Sequence, residues 1–522
     1  MSKLRLVKRS KLGTRQDTQK KQRSPKKLEE AIALVKGVPS QQSLFHSFSD
    51  ATEIKAFQKS LLTWYNKCKR DLPWRKLASD ETDADRRAYA VWVSEIMLQQ
   101  TQVASVIGYY NRWMQKWPTL QELSKASLEE VNELWSGLGY YSRGKRLQEG
   151  AHKVVSQMAG HMPRTAEELQ KLLPGVGRYT AGAIASIAFG QVTGVVDGNV
   201  IRVLCRTRAI GADPTSSAVA DRLWALAHTL VDPAHPGDFN QAMMELGATV
   251  CTPKAPLCVE CPVQQHCRAY CMVKKDQLLS AKKLLGKAVS KCAHLLDVEE
   301  CAATSGSCSL CLPPSEPWDP SLGVANFPRK ATKRKPRIEH TATCLLQRKG
   351  TNEEQEYLIV QRPSSGLLAG LWEFPSLLLE PGQEKQQKMA LAHHLQAWVG
   401  SVVAVRRLQH VGEVLHIFSH IRQTYVIYFL SLEKDEGNWN REMELPTSRW
   451  VTKREFMNSA ISTAMKKVLK AYEKWSSKIS SGKVMKRKRD LLCTSQSKPE
   501  EDGSFCKKQL SLDSFLATNP KN

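Results

Sequence analysis

The stretch Leu173-Pro174-Gly175-Val176-Gly177-Arg178-Tyr179 constrains the chain more than any other. Two glycines around one valine, entered through Leu-Pro, make a tight turn. Apolar spacing on either side predicts a helix over Ala166–Leu172 and a second over residues 179–189, which together form a helix-hairpin-helix. The second helix opens with unpaired N–H groups at the positive end of its dipole, an arrangement that suits a phosphate. Contacts of that kind hold a DNA backbone without reading its sequence. The same residues would also serve as an ordinary turn between packed helices. Further on, the apolar pair Val195-Val196 ends in Asp197-Gly198-Asn199-Val200, an acid positioned to open a new helix.

At 522 residues the chain exceeds a single core, so several domains are expected. Lys and Arg number 76 against 51 Asp and Glu, a net charge of +25 that favours a polyanionic partner. No apolar stretch reaches the roughly twenty residues of a transmembrane helix, and no apolar signal follows Met1. A soluble, intracellular monomer with no membrane partner is the expectation. Residues 1–44 form a basic tail poor in core formers and expected to be disordered. Lys20-Lys21-Gln22-Arg23-Ser24-Pro25-Lys26-Lys27 suits a nuclear import signal, and the acid-poor first residues also suit a mitochondrial presequence or a merely solvated arm.

Residues 45–273 read as an all-α domain, with helices expected over 57–67, 89–109, 128–135, 143–157, 165–173, 198–209, 218–230 and 238–249. In the second of these Glu95 shares a face with Val91, Leu98 and Gln102. Desolvation there would raise its pKa into the range of a general acid or base, although a structural ion pair with a distant arginine fits the pattern equally. The domain ends in Cys251-x6-Cys258-x2-Cys261-x5-Cys267, with prolines forcing loops between the thiols. Such spacing predicts metal ligation in a reducing compartment without separating a zinc tetrad from an iron–sulfur cluster.

Residues 274–335 shift towards Lys, Ser, Pro and Cys and read as a connector. Cys301-x6-Cys308-x2-Cys311 suggests a Zn2+ site there, with a fourth ligand from Cys292, His294 or His46, against the alternative of three free surface thiols. Residues 336–475 alternate in the manner of strands around 340–347, 356–362 and 423–430, giving an α+β domain. Residues 476–522 again lack core formers, are expected to be disordered, and carry the import-like run Lys486-Arg487-Lys488-Arg489.

Ser94-Glu95-Ile96-Met97-Leu98-Gln99-Gln100-Thr101-Gln102, followed by Trp135-Ser136-Gly137-Leu138-Gly139-Tyr140-Tyr141, closely resembles the MutY-type adenine DNA glycosylases of the helix-hairpin-helix superfamily. The resemblance spans roughly residues 57–267. It implies a base excision repair enzyme that flips adenine out of duplex DNA where it is mispaired with 8-oxoguanine or guanine, hydrolyses the N-glycosidic bond, and so prevents G:C to T:A transversions. Glu95 would then protonate the base, Asp197 would stabilise the cationic sugar, Asn199 would orient Asp197, and Tyr179 would reach the acid or the sugar. Gln99, Gly175, Gly177 and Arg178 fall at the DNA, and Tyr140 would wedge into the base stack. The family carries a structural 4Fe-4S cluster after the corresponding helix, which assigns Cys251, Cys258, Cys261 and Cys267 to it and makes Lys254 the basic residue of a DNA-binding loop.

Endonuclease III shares the hairpin, the aspartate and the cysteine spacing but attacks through a lysine where this chain has Tyr179, so a monofunctional glycosylase without Schiff-base chemistry is expected. A catalytically silent damage adaptor is disfavoured by the presence of both Glu95 and Asp197. Gly366-Leu367-Leu368-Ala369-Gly370-Leu371-Trp372-Glu373-Phe374-Pro375 resembles the entry to the Nudix signature, yet His393-His394-Leu395-Gln396-Ala397-Trp398 stands where that family needs metal-binding glutamates. Pyrophosphohydrolase activity is therefore not expected. The domain instead resembles the lesion-recognition domain of adenine glycosylases, with Phe418-Ser419-His420 in the loop that meets the oxidised guanine. Gln509-x-x-Leu512-x-x-Phe515-Leu516 resembles the motif that docks on the replication sliding clamp, with Leu516 in place of its second aromatic. The connector is a further candidate surface for repair or checkpoint proteins.

Overall fold

The computed structural model describes residues 44–285, 301, 308–329, 335–350, 352–363, 365–379, 386–418, 420–432 and 447–480. The two basic tails with their import-like runs, Cys292, His294, Ser419 and the clamp-motif residues Gln509, Leu512, Phe515 and Leu516 lie outside the described residues.

The helical domain is built from α1 (Ala51–Cys68), α2 (Pro73–Asp80), α3 (Ala84–Leu98), α4 (Val103–Lys116), α5 (Leu120–Lys125), α6 (Leu128–Trp135), α7 (Ser142–Gln157), α8 (Ala166–Leu172), α9 (Arg178–Phe189), α10 (Gly198–Thr207), α11 (Ser217–Leu230), α12 (Pro236–Thr249) and α13 (Arg268–Leu285). Most starts carry local signals. Asp50, Asp83, Thr165 and Asp197 accept hydrogen bonds from first-turn N–H groups, Thr119/Glu122 and Ser127/Glu130 form capping boxes, and Pro73 and Pro236 occupy first-turn positions.

Helix α3 is the central rod: every residue from Ala88 to Met97 is buried. This enclosure explains why its sequence is apolar all round rather than on one stripe. Its own Trp92 is fully buried, as are Trp113 of α4 and Trp135 of α6, which meet edge to face at 5.4 Å.

The sequence predicts one helix over 89–109, and the structure corrects this. Helix α3 stops at Leu98, the chain turns at Gln100 with a positive φ of 54°, and α4 starts at Val103, so Gln102 does not share the Glu95 face. The cause lies in α7. Arg143, 7% exposed, donates through Nη1 to the carbonyls of Ile96 at 2.9 Å and Met97 at 3.0 Å and also reaches that of Gln99. Its Nη2 bonds the Thr101 hydroxyl and the Gly139 carbonyl. One guanidinium thus satisfies a helix end that terminates inside the protein, where unpaired carbonyls would be costly.

Residues 308–329, in the stretch expected to connect the domains, pack onto the helical domain. Leu310, Val324 and Phe327 join the core formed with α10, and the Leu310 carbonyl accepts from Gly211 N–H at 2.8 Å.

The C-terminal domain is a seven-stranded mixed sheet of β1 (Arg337–Lys349), β2 (Gln355–Gln361), β3 (Trp372–Glu373), β4 (Ser376–Leu379), β5 (Gln409–Ile417), β6 (Ile421–Ser431) and β7 (Ser448–Thr452), ordered β3-β2-β1-β6-β5. Strand β1 shares one edge between β4 and β2, both antiparallel, and gives the other to β6 in parallel. A parallel pair needs a crossover, and α14 (Gln387–Val399) lies in it, burying Leu391, Leu395 and Trp398 against the sheet. The short α15 (Lys453–Asn458) and α16 (Thr463–Ser480) follow β7. No helix among the described residues is long and apolar enough to cross a membrane.

Removing the cap should leave several buried carbonyls without donors. Arg143→Met is expected to destabilise the helical domain by about 3 kcal/mol, lowering the thermal midpoint by roughly 5–10 °C. Scanning fluorimetry at equal concentration checks this, and an unchanged midpoint would show that α3 ends there for another reason.

Candidate active site

A cleft of about 570 Å3 opens between α2, α3, α9, α10 and α12, and Glu95, Tyr179 and Asp197 all line it. The enclosed position of Glu95 in α3 leaves its side chain only 6% exposed. Burial raises its carboxyl pKa to about 7, the nearby Asp197 charge pushes the same way, and a hydrogen bond from the Tyr179 hydroxyl to Oε2 at 2.7 Å offsets part of the rise. Tyr179 sits in the first turn of α9, directly after the hairpin, and its phenol is held well above the usual range, first by burial and then by the two carboxylates.

Asp197 is the N-cap of α10. Its Oδ1 accepts from the N–H groups of Asn199 at 2.9 Å and Val200 at 2.7 Å, and its Oδ2 accepts from the Asn199 side-chain amide at 2.8 Å. Burial raises its pKa overall, yet all three bonds act against that rise. The two acids therefore sit in unlike surroundings. One has a single phenol in an apolar wall; the other has three N–H donors at a helix start. That contrast is the usual structural basis for one carboxyl that holds a proton beside another that is ionised.

The hairpin lies at the surface. Gly175 (φ +75°) needs its glycine twice over, because an added Cβ would come within 2.7 Å of Arg146. Gly177 has nothing within 4 Å of such an atom, so the start of α9 is open to a ligand. Arg178 stacks on Trp224 at 4.0 Å. Gln99 lines the same cleft as Glu95 and reaches the Thr180 hydroxyl, while Lys254 stands exposed in the cysteine loop.

The sequence-predicted Phe418 and His420 fall elsewhere, in the turn between β5 and β6. With Gly139, Tyr140, Arg146 and Leu367 they line a second cleft of about 560 Å3 between the helical and C-terminal domains. Tyr140 is 44% exposed on a backbone of φ +48°, with the Arg143 guanidinium over its ring.

The cysteines form two groups. Cys251, Cys258, Cys261 and Cys267 line one cavity walled by Val203, Leu246, Val250 and Val263. Burial pushes the thiols of Cys258 and Cys267 up and that of Cys261 to about 12, so as thiolates they call for a cationic centre. In the second group the ligand atoms of His46, Cys301, Cys308 and Cys311 all lie within 4.8 Å of one another, close enough for a single ion. His46 is buried, with Nδ1 2.8 Å from the Arg208 carbonyl and Nε2 3.3 Å from Cys311 Sγ. A carbonyl that takes the Nδ1 proton leaves the Nε2 lone pair for a metal.

Two features of the site escape sequence reading. Glu245 on α12, its side chain fully enclosed, takes Arg70 Nε at 2.6 Å and Arg75 Nη2 at 2.9 Å; burial opposes its ionisation, but the two arginines outweigh burial and hold its pKa low. All three line the Glu95 cleft. Along α10, Arg202 donates to Asn199 Oδ1 at 2.8 Å and to the Cys251 carbonyl at 2.6 Å, and Arg206 contacts Cys251 Sγ at 3.3 Å and the Thr252 carbonyl at 2.8 Å. The spacing 199, 202, 206 along one helix face was the available signal.

Comparison with known proteins gives the chain's family. Residues 93–228 match the family described as HhH-GPD superfamily base excision DNA repair protein, and residues 349–471 match the NUDIX domain. The adenine DNA glycosylase of Mus musculus is 63% identical over 431 residues, covering 83% of this chain and 80% of its own. That of Homo sapiens is also 63% identical over 431 residues, covering 83% and 76%. A solved complex between the C-terminal domain of mouse MUTYH and human PCNA aligns at 47% identity over 27% of this chain and 91% of that chain, with a TM-score of 0.24. With identity of this level over most of both sequences, and with two dissimilar carboxyls beside an open helix-hairpin-helix, the chain belongs to the adenine DNA glycosylases of base excision repair.

Proposed function

We propose that the enzyme removes adenine mispaired with 8-oxoguanine, and also with guanine, as a monofunctional glycosylase. The observation that carries the reading is the pairing of an enclosed Glu95, hydrogen-bonded by Tyr179, with an N-cap Asp197 on the opposite wall of one cleft. Adenine leaves poorly as an anion. Glu95, protonated near neutral pH, gives its proton to N7 and lets the base depart neutral. The deoxyribose C1′ left behind is cationic, and the Asp197 carboxylate, fixed by Asn199, stabilises that charge or bonds to it before water attacks. Tyr179 holds the acid in place. It also occupies the position where a lyase would carry its lysine, which leaves no amine for a Schiff base.

The flipped adenine enters the Glu95 cleft while the hairpin N–H groups and Arg178 hold backbone phosphates, and Gln99 and Lys254 add contacts to the DNA. Tyr140 wedges into the stack, and Phe418 and His420 meet the base opposite from the far wall of the second cleft, with Ser419 assigned to the same role by its sequence. Cys251, Cys258, Cys261 and Cys267 are suited to hold a 4Fe-4S cluster, whose contribution is to brace the DNA-binding loop. His46, Cys301, Cys308 and Cys311 are suited to Zn2+, tying the connector to the helical domain. By their sequences, the basic runs support nuclear action and the Gln509, Leu512, Phe515 and Leu516 motif supports docking on the sliding clamp.

Three outcomes follow. In single-turnover assays on a duplex with adenine opposite 8-oxoguanine, wild type yields strand breaks only after alkali. Glu95→Gln and Asp197→Asn each slow base release by on the order of 10^3-fold or more while DNA binding persists; breaks without alkali, or full activity in Glu95→Gln, contradict the mechanism. The raised pKa of Glu95 also has a thermodynamic sign. Between pH 4.5, the unshifted value, and about 7 the folded chain binds more protons than the unfolded one, so stability falls as pH rises through that window. Glu95→Gln should therefore melt higher than wild type at pH 8, by an amount worth at most about 3 kcal/mol, and no higher at pH 4. Replacing Cys301, Cys308 and Cys311 with serine should remove bound zinc by elemental analysis while iron content stays, and unchanged zinc would refute that site.

A further inference from the structure

Two contacts join the helical and C-terminal domains beside the second cleft, and neither belongs to the catalytic machinery. At the start of α6, Glu129 Oε1 accepts from Arg449 Nη1 at 3.1 Å and from the Trp372 indole N–H at 3.3 Å. Just past the end of α6, the Ser136 hydroxyl donates to the Ile461 carbonyl at 3.0 Å and accepts from Lys466 Nζ at 3.2 Å. A half-exposed ion pair is worth little when both side chains must be ordered from freedom. Arg449 is not free: its guanidinium lies over the Trp372 ring at 4.2 Å, and its Nη2 donates to the Ser459 hydroxyl at 2.9 Å, so it is already aimed at Glu129.

The positions of the contacts matter more than their strength. A rigid rod held at one end can swing, and held at both ends it cannot. Ser136 leads straight into Gly137-Leu138-Gly139-Tyr140, the near wall of the cleft whose far wall carries Phe418 and His420. The spacing across that cleft depends on how α6 is seated against the C-terminal domain.

We propose that Glu129–Arg449 and Ser136–Lys466 form a clasp that grips α6 at both ends and sets opposite-base specificity by fixing the distance between Tyr140 and the β5–β6 turn. All four are positioning residues. The proposal rests on the reading that the C-terminal domain meets the base opposite adenine.

The test is single-turnover adenine release by the full-length chain opposite 8-oxoguanine and opposite guanine. Glu129→Gln, Arg449→Gln and, at the other contact, Lys466→Met should each lower the preference for 8-oxoguanine about tenfold while release opposite guanine changes less than about twofold. Glu129→Gln/Arg449→Gln should lose no more than either single change, and Arg449→Lys, which keeps the charge, should recover most of the preference. Raising salt should erode the preference of the wild type but not of Arg449→Gln. Unchanged preference in the single variants, or fully additive losses in the double, overturns the clasp, provided that a Phe418→Ala/His420→Ala control has lost the preference. If that control keeps it, the underlying reading of the C-terminal domain fails and the clasp fails with it.

Discussion

A helix that ends inside a protein needs donors for its last carbonyls, and the organisation of this enzyme follows from how α3 meets that need. Its enclosure raises the pKa of Glu95, and its early stop at Leu98 opens the cleft into which Glu95 faces. Both depend on Arg143, which caps the helix from α7 and has its own pKa lowered to about 10 by burial. The same guanidinium bonds the Gly139 carbonyl and lies over Tyr140. The residue that ends the acid-bearing helix therefore also shapes the loop at the second cleft. Packing that ends the acid-bearing helix and packing that seats Tyr140 are one network, so a fault in either is felt in both.

The two carboxyls illustrate how backbone position decides chemistry. Both lose solvent and both have their pKa raised by burial, with the Asp197 charge adding to the rise at Glu95, yet only Asp197 has three N–H donors that favour its charged form. Two of its three bonds come from being a helix N-cap, a structural role that the residue would have in any protein, and the third from the Asn199 side chain. The carboxylate that caps the helix is the one best able to carry charge in the cleft. Behind it, Asn199 and Arg202 extend the fixed geometry to the Cys251 carbonyl, so the wall of the cleft is braced by the cysteine loop rather than by local packing alone.

What was legible in the sequence was what is written locally. The hairpin glycines, the capping residues, the solitary acid in an apolar helix and the cysteine spacings each signal through neighbours within a turn or two, and the strands of the C-terminal domain through alternation. The break after Leu98 was not legible because its cause, Arg143, is more than forty residues away and reads as an ordinary basic residue in an amphipathic helix. Glu245 with Arg70 and Arg75 escaped for the same reason: charges that meet across three elements leave no periodic trace. His46 stood among several candidates for a fourth ligand, and only the fold brings it to Cys301, Cys308 and Cys311.

The C-terminal domain, which matches the NUDIX family model, keeps its packing and its contacts with the helical domain on different residues. Its α14 buries Leu391, Leu395 and Trp398 against β1 and β4, as the fold requires, while His393 on the same helix stays exposed. The domain meets the helical domain through its edges. The β5–β6 turn supplies Phe418 and His420 to the cleft, and Trp372, Arg449 and Lys466 supply the contacts to α6. The core that folds the domain and the surface that uses it are thus physically separate. In such an architecture the residues at the cleft can change without loss of stability, because they are not the ones that pack the core.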